Sequence, residues 1–327
     1  MELEVRFPSG AIELAGTLTL PAGHAPFPCC LMVGGSGPQV RDGSFDFART
    51  DYFPTPLARR PLLEFQARAL ERAGIASMRF DKRGCGASQG EFRTASFDDL
   101  VSDASAALDS LAGLSQIDGN RIGILGKSEG AVVALCTASS RRDVSFYVWE
   151  SGFVQSVREL AEYQLQDLRS MPPEDLDQMK SNAPYLYWET LQGTSLLSSA
   201  LKGDATFVIG DSAWSMEESL DYYRQASALN LVEKLGELAI PTLIVHGADD
   251  SVVPAVNARM AAEILHKSGR AEFTLNILPG IEHCLFPVDA TPQIVAGQKV
   301  ILPDQAAVDV VVSWIANHVG AGSRSVA

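Results

Sequence analysis

Near its start the chain alternates apolar and polar residues in ELEVRF and again in AIELAGTLTL, with Pro8-Ser9-Gly10 between them. That spacing predicts a β-hairpin with one face against a core. The pattern then changes. CCLMV, GIASMRF, RIGILG, VSFYVWE, IPTLIVHG and AEFTLNIL are short runs, most of them apolar almost throughout, and they predict strands buried on both faces. Between and after them lie stretches with helical spacing or helical punctuation: 61–73, where Leu62, Leu63, Phe65, Ala69 and Leu70 recur at helical intervals, 96–111, 129–138, 254–267 and 304–318. Ser96 and Asp99 occupy capping-box positions at the start of the second of these. Strand alternating with helix implies an α/β fold with a mostly parallel central sheet and helices on both faces. Such a sheet carries its working residues on loops at the carboxyl ends of the strands. The tail GAGSRSVA is expected to fray.

One stretch breaks the alternation. Residues 152–231 read as several helices joined by loops containing MPPED, SNAP and KGD. The expected organisation is therefore a first core part at 1–151, a helical cap at 152–231 and a second core part at 232–327. The cap holds five of the seven tyrosines and two of the four tryptophans. Most of these aromatics are expected to form the cap's own core. Trp188 and Trp214 are the candidates for facing substrate.

Composition narrows the function without naming it. The chain has 327 residues, 46% apolar, and a net charge of −14 with no long run of one sign. That surface repels polyanions, so nucleic acid and anionic membranes are set aside as partners. Five cysteines, with no C-x-x-C pair, make neither a disulfide framework nor a zinc site. No apolar stretch is long enough to span a bilayer, and the first residues lack a signal-peptide pattern, so a cytoplasmic location is expected. No metal or cofactor is called for.

The chemistry concentrates at Gly126-Lys127-Ser128-Glu129-Gly130. A serine flanked by glycines at a strand-to-helix junction is held on a sharp turn with its hydroxyl above the sheet, and side chains at the glycine positions would collide with neighbouring backbone. A serine hydroxyl is a weak nucleophile and needs a base and an orienting acid. His283, in the loop after the last predicted strand, is placed for the base; His24, His266 and His318 read as surface residues, and His246 as support for the loop that follows it. Asp250 in HGADDSVVP is the chosen acid, with Asp249 and Glu150 as alternatives. Two N–H donors for an oxyanion are expected from Glu129 and from the glycine-rich turn VGGSGPQ, where Ser36 is the choice and Gly35 the second.

In combination, GKSEG, VGGSGP, DKRGCGAS, HGADDSVVP and GIEHCLF resemble the α/β-hydrolase superfamily, and within it the bacterial esterase and prolyl-oligopeptidase-related branch. The resemblance spans the chain apart from the cap. It implies a serine hydrolase acting on a carboxylic ester, thioester or activated amide through an acyl-enzyme. Acyl transfer or cyclisation, peptide cleavage and non-catalytic ligand binding stand as alternatives on the same scaffold. The cap's aromatic content suits a small-molecule partner with an apolar or aromatic part; self-association into a homodimer stays open. Two positions depart from the family pattern: Lys127 stands where histidine is usual, and Gly34 where the oxyanion turn usually has His-Gly. Lys127 is expected to pack its stem against the sheet. Cys85, on a loop near the site, is expected to be structural, because no histidine is placed to activate it.

Overall fold

The alternating residues at the start form a hairpin of β1 (Glu2–Ser9) and β2 (Ile12–Thr19), closed by the pair Ser9–Ile12. Pro8 and Ser9 lie in β1 rather than in the turn, which is Gly10-Ala11 alone. Gly10 takes φ +59°, a conformation glycine adopts without steric cost. The structure, a computed structural model, describes residues 1–320; residues 321–327, nearly all of the tail expected to fray, lie outside the described residues.

After the hairpin come β3 (Phe27–Val33), α1 (Leu62–Arg72), β4 (Ala76–Phe80), α2 (Phe97–Ala112), β5 (Ile117–Lys127), α3 (Glu129–Ser139) and β6 (Tyr147–Glu150). Between β6 and the next central strand lie α4 (Val157–Ser170), α5 (Pro173–Asn182), α6 (Pro184–Lys202), β7 (Thr206–Gly210), β8 (Ser215–Ser219), α7 (Asp221–Ser227) and α8 (Leu231–Glu237). The chain continues through β9 (Thr242–Gly247), α9 (Val256–Ser268), β10 (Phe273–Leu278), β11 (Gln293–Val295), β12 (Gln298–Val300) and α10 (Gln305–His318). Among the described residues no helix is long and apolar enough to cross a membrane.

Eight strands form one sheet in the order β1-β2-β4-β3-β5-β6-β9-β10. Pairing is parallel from β4 to β10, and β2 joins antiparallel to both β1 and β4. The central strands are apolar on both sides because both faces are covered. On one face Leu100, Leu108, Val132, Leu135, Leu235 and Leu265 of α2, α3, α8 and α9 pack into one core; on the other, Leu63, Leu70, Val308 and Ile315 of α1 and α10 pack into a second. The capping box at Ser96 and Asp99 is present in both halves.

A third core belongs to the region between β6 and β9. It joins Tyr185, Trp188, Leu196, Leu197, Ile209 and Leu220 to Tyr52 and Phe53 from the long loop after β3. The region is not helical throughout, as the sequence suggested: β7 and β8 pair as an antiparallel hairpin. So do β11 and β12, in a stretch with no predicted element. Both hairpins are short and mostly solvent-facing, so their alternation is too weak to read in sequence.

Candidate active site

Strand β5 ends at Lys127 and helix α3 begins at Glu129, leaving Ser128 alone at the junction with φ +56° and ψ −121°. Positive φ is unusual for a non-glycine residue and stores strain at the turn. The flanking glycines are required by close approach. A Cβ on Gly126 would sit 2.0 Å from the carbonyl oxygen of Gly130, and one on Gly130 would sit 2.4 Å from the carbonyl oxygens of Val33 and Gly34. The N–H of Ser128 donates to Glu150 O at 2.8 Å, so the neighbouring strand end fixes the turn.

His283 lies on a short helical turn after β10 and brings two distant residues together. Its Nε2 is 3.0 Å from Ser128 Oγ, and its Nδ1 is 2.7 Å from Asp250 Oδ2. Asp250, only 5% exposed, follows β9. Its other oxygen accepts the N–H groups of Val252 and Val253 at 2.9 and 2.8 Å, which leaves Oδ2 aimed at the imidazole. With the carboxylate on Nδ1–H, Nε2 is free to accept from the serine hydroxyl. Burial opposes charge on Asp250, but the imidazole of His283 and contacts to His246 hold its carboxyl well below the usual range. Burial likewise opposes charge on His283; adjoining Cys284 and the Asp250 carboxylate outweigh it and raise the imidazole's pKa.

The sequence did not foresee that His246 touches this acid. It is fully buried, its Nε2–H donates to Val253 O at 2.8 Å, and the same nitrogen lies 3.2 Å from Asp250 Oδ2. The alternatives to Asp250 lie elsewhere. Asp249 accepts the Gly280 N–H at 2.8 Å. Glu150 accepts from Gln66 Nε2 at 2.7 Å, and burial raises its carboxyl to about 7.

The turn after β3 faces the start of α3. Gln39 grips it from one side, accepting the N–H of Gly35 at 2.9 Å and donating to Ser36 O at 2.8 Å. Gly35 is thereby removed as a free donor. Among the described residues the N–H groups of Ser36 and Glu129 have no hydrogen-bond partner, and both residues border the same cavity as Ser128 and His283. Lys82 contacts the turn from the other side: Nζ donates to Gly35 O at 3.0 Å and pairs with Glu129 Oε2 at 2.7 Å.

Lys127 does more than lay its stem on the sheet. Its Nζ is buried and donates to Gly43 O at 2.8 Å, tying the loop after β3 to the end of β5, and burial lowers its pKa. Cys85 is buried, and desolvation pushes its thiol up to about 12, which leaves it protonated and unreactive.

Above Ser128 and His283 opens a cavity of about 650 Å³. Its size suits a small organic ligand. Trp188 and Trp214 do not line it, contrary to expectation. Trp188 is packed in the third core, and the Trp214 Nε1–H donates to Asp51 O at 3.2 Å. Both rings serve the packing of this region instead. The walls come from helix faces: Val157, Leu160, Ala161, Gln164 and Leu168 of α4, and Leu186, Glu189, Thr190, Gly193 and Leu197 of α6. Each set recurs at three- and four-residue intervals, the period of one helix face, and that periodicity was the available sequence signal. Phe45, Phe47, Phe153, Tyr222, Tyr223 and Phe286 supply the aromatic surface. Glu189 accepts from Tyr223 OH at 3.1 Å, and burial raises its carboxyl to about 6.

Residues 63–173, a span that includes the serine elbow at Gly126–Gly130, match the family described as serine aminopeptidase, S33. No curated protein matches the chain. Among solved structures, Est1E from Butyrivibrio proteoclasticus with bound ferulic acid is similar at 17% identity and TM-score 0.58, with 96% of each chain covered. DcsB in complex with its substrate analogue is similar at 16% identity and TM-score 0.63, covering 98% of this chain and 99% of that one. The esterase domain of a Rhodothermus marinus protein is similar at 16% identity and TM-score 0.55, covering 98% and 100%. The chain has the α/β-hydrolase fold, and Ser128 lies within the span that matches the family.

Proposed function

We propose that the protein hydrolyses a carboxylic ester of a small, largely apolar molecule, with Ser128 as nucleophile, His283 as base and Asp250 as its orienting acid. The observation that carries this reading is the position of His283, within hydrogen-bond reach of both Ser128 and Asp250 at the floor of the cavity. In the proposed reaction Ser128 Oγ attacks the ester carbonyl carbon as His283 Nε2 takes its proton. The oxyanion is held by the N–H groups of Ser36 and Glu129. His283 returns the proton to the departing alcohol, leaving an acyl-enzyme. Water then attacks, giving its proton to His283, and the acid is released as Ser128 is regenerated. The cap is the region between β6 and β9, and the faces of α4 and α6 are the part of it that meets the substrate.

A second reading has one observation in its favour. Glu189 and Asp167 are carboxylates on the cavity wall with no cationic partner among the described residues, a setting that suits a substrate with a free amino end. One panel tests both readings: labelling by a fluorophosphonate probe, then turnover of p-nitrophenyl esters graded by acyl length beside aminoacyl p-nitroanilides. Labelling lost in Ser128→Ala, with turnover of esters, supports the first reading. Preference for the anilides supports the second. Absence of labelling in the folded wild-type protein overturns both.

A further inference from the structure

We infer that Lys82 is a positioning residue for the oxyanion donors: by gripping the carbonyl of Gly35 from behind the turn, it aims the N–H of Ser36 into the cavity. The inference rests on the reading of Ser128 as nucleophile and goes beyond it.

A trans peptide is planar, so the C=O of Gly35 and the N–H of Ser36 point in opposite directions. Whatever fixes the carbonyl fixes the donor. Lys82, in the loop leaving β4, places Nζ 3.0 Å from Gly35 O. Its side chain is absent from the wall of the substrate cavity and borders instead a small void beside Leu100 and Val133, on the side of α2 and α3. The carbonyl therefore points away from the substrate, and the Ser36 N–H points toward it. Gln39 holds the turn from the flanks through the Gly35 N–H and the Ser36 carbonyl. Between them, Gln39 and Lys82 occupy every backbone polar group of Gly35 and Ser36 except the Ser36 N–H.

The same ammonium reaches the second donor. Lys82 Nζ lies 2.7 Å from Glu129 Oε2, and Glu129 contributes the other free N–H, at the first position of α3. One buried cation thus spans the two backbone segments that face the oxyanion. It is only 8% exposed at its side chain, so its contacts are little screened by water. Donor geometry of this kind raises kcat because it is complementary to the transition state rather than to the substrate.

Lys82→Met keeps the stem and removes every donor. With a p-nitrophenyl ester, kcat should fall about 10- to 1,000-fold while KM changes little, because a misaimed donor costs transition-state binding alone. Affinity for a trifluoromethyl ketone, whose serine adduct carries an oxyanion, should fall by a similar factor; a purely structural role would not single out this ligand over the substrate. If Lys82→Met misfolds because it strands the Glu129 carboxylate, Lys82→Met/Glu129→Gln removes that charge as well and should show the same split. Either variant, folded, with kcat and ketone affinity at wild-type values overturns the inference. Ser128→Ala run alongside separates the two proposals. If it abolishes turnover and Lys82 variants are unaffected, only the positioning role falls; if it retains turnover, the parent reading falls.

Discussion

The hydroxyl of Tyr222 donates to Glu129 Oε1 at 2.5 Å, so a residue of α7, beyond the β6 strand end, is bonded to the residue that follows Ser128. Glu129 is thereby shared: Lys82 holds one oxygen and Tyr222 the other. The region between β6 and β9 is tied to α3 at its first turn. A hydrogen bond to a charged, part-buried group is worth about 1.5–3 kcal/mol. Tyr222→Phe keeps the ring on Phe97 and removes the bond. It should loosen the region between β6 and β9, raising KM for a long-chain ester several-fold while an acetyl ester is turned over nearly as before. An unchanged KM ratio between the two esters would count against the tie.

Asp250 and Asp249 are adjacent in sequence but differ in what they touch. Asp250 Oδ2 lies 2.7 Å from His283 Nδ1, whereas Asp249 Oδ2 accepts the Gly280 N–H. Asp250→Asn should lower kcat by orders of magnitude, about 10⁴-fold by analogy with the serine-protease triad. Asp249→Asn should cost less than tenfold. The pH profile gives a second check. The carboxylate helps raise the His283 pKa, so its removal should shift the acid limb of kcat/KM to lower pH. A reversed ranking of the two variants would move the orienting role to Asp249.

The order of central elements was legible because strands buried on both faces leave apolar runs that no surface segment imitates. The elbow was legible because Gly126 and Gly130 are fixed by backbone contact, a constraint that sequence records directly. What stayed hidden depends on how loops fold back and on partners far along the chain. His246 contacts Asp250, four residues on, because the loop after β9 folds back to set Val253 O on its Nε2. Lys82 reaches Glu129 across 47 residues of sequence. Tryptophan is a poor guide between β6 and β9, since a large ring serves a small core as readily as a ligand; Trp188 and Trp214 do the former. The faces of α4 and α6 were readable as period, but not as lining, because an apolar helix face looks the same whether it meets a core or a cavity.

Glu218, on β8, is 4% exposed, and its Oε1 has no hydrogen-bond partner among the described residues. Burial, then nearby Glu189, raises its carboxyl to about 8. The folded state thus holds this proton more tightly than the unfolded chain does. The stability it contributes is full below the ordinary glutamate pKa and is lost as pH rises through about 8. Glu218→Gln, which keeps the shape without the charge, should be nearly neutral at pH 5 and raise Tm relative to wild type at pH 9. Calorimetry at both values checks this. A Tm difference that does not change with pH would show that Glu218 ionises as freely in the fold as out of it.

Ala161 stands on the face of α4 that lines the cavity, and Gly193 of α6 lies opposite, with Ala161 Cβ 3.7 Å from the position a Gly193 Cβ would take. Small residues let α4 and α6 approach closely here, on a wall of the cavity that both residues border. Ala161→Phe should place a ring there and shorten the longest acyl chain accepted, raising KM for octanoyl esters tenfold or more by the loss of burial worth about 0.8 kcal/mol per methylene. Acetyl ester turnover should stay near wild type, because Ser128, His283 and the donor turn are untouched. Trp188→Ala and Trp214→Ala should behave differently. Neither ring lines the cavity, so their removal should lower Tm through lost packing in the third core before it alters chain-length preference. A chain-length profile for each folded variant decides the matter. If the tryptophan variants shift the profile and Ala161→Phe does not, the substrate lies elsewhere than between α4 and α6.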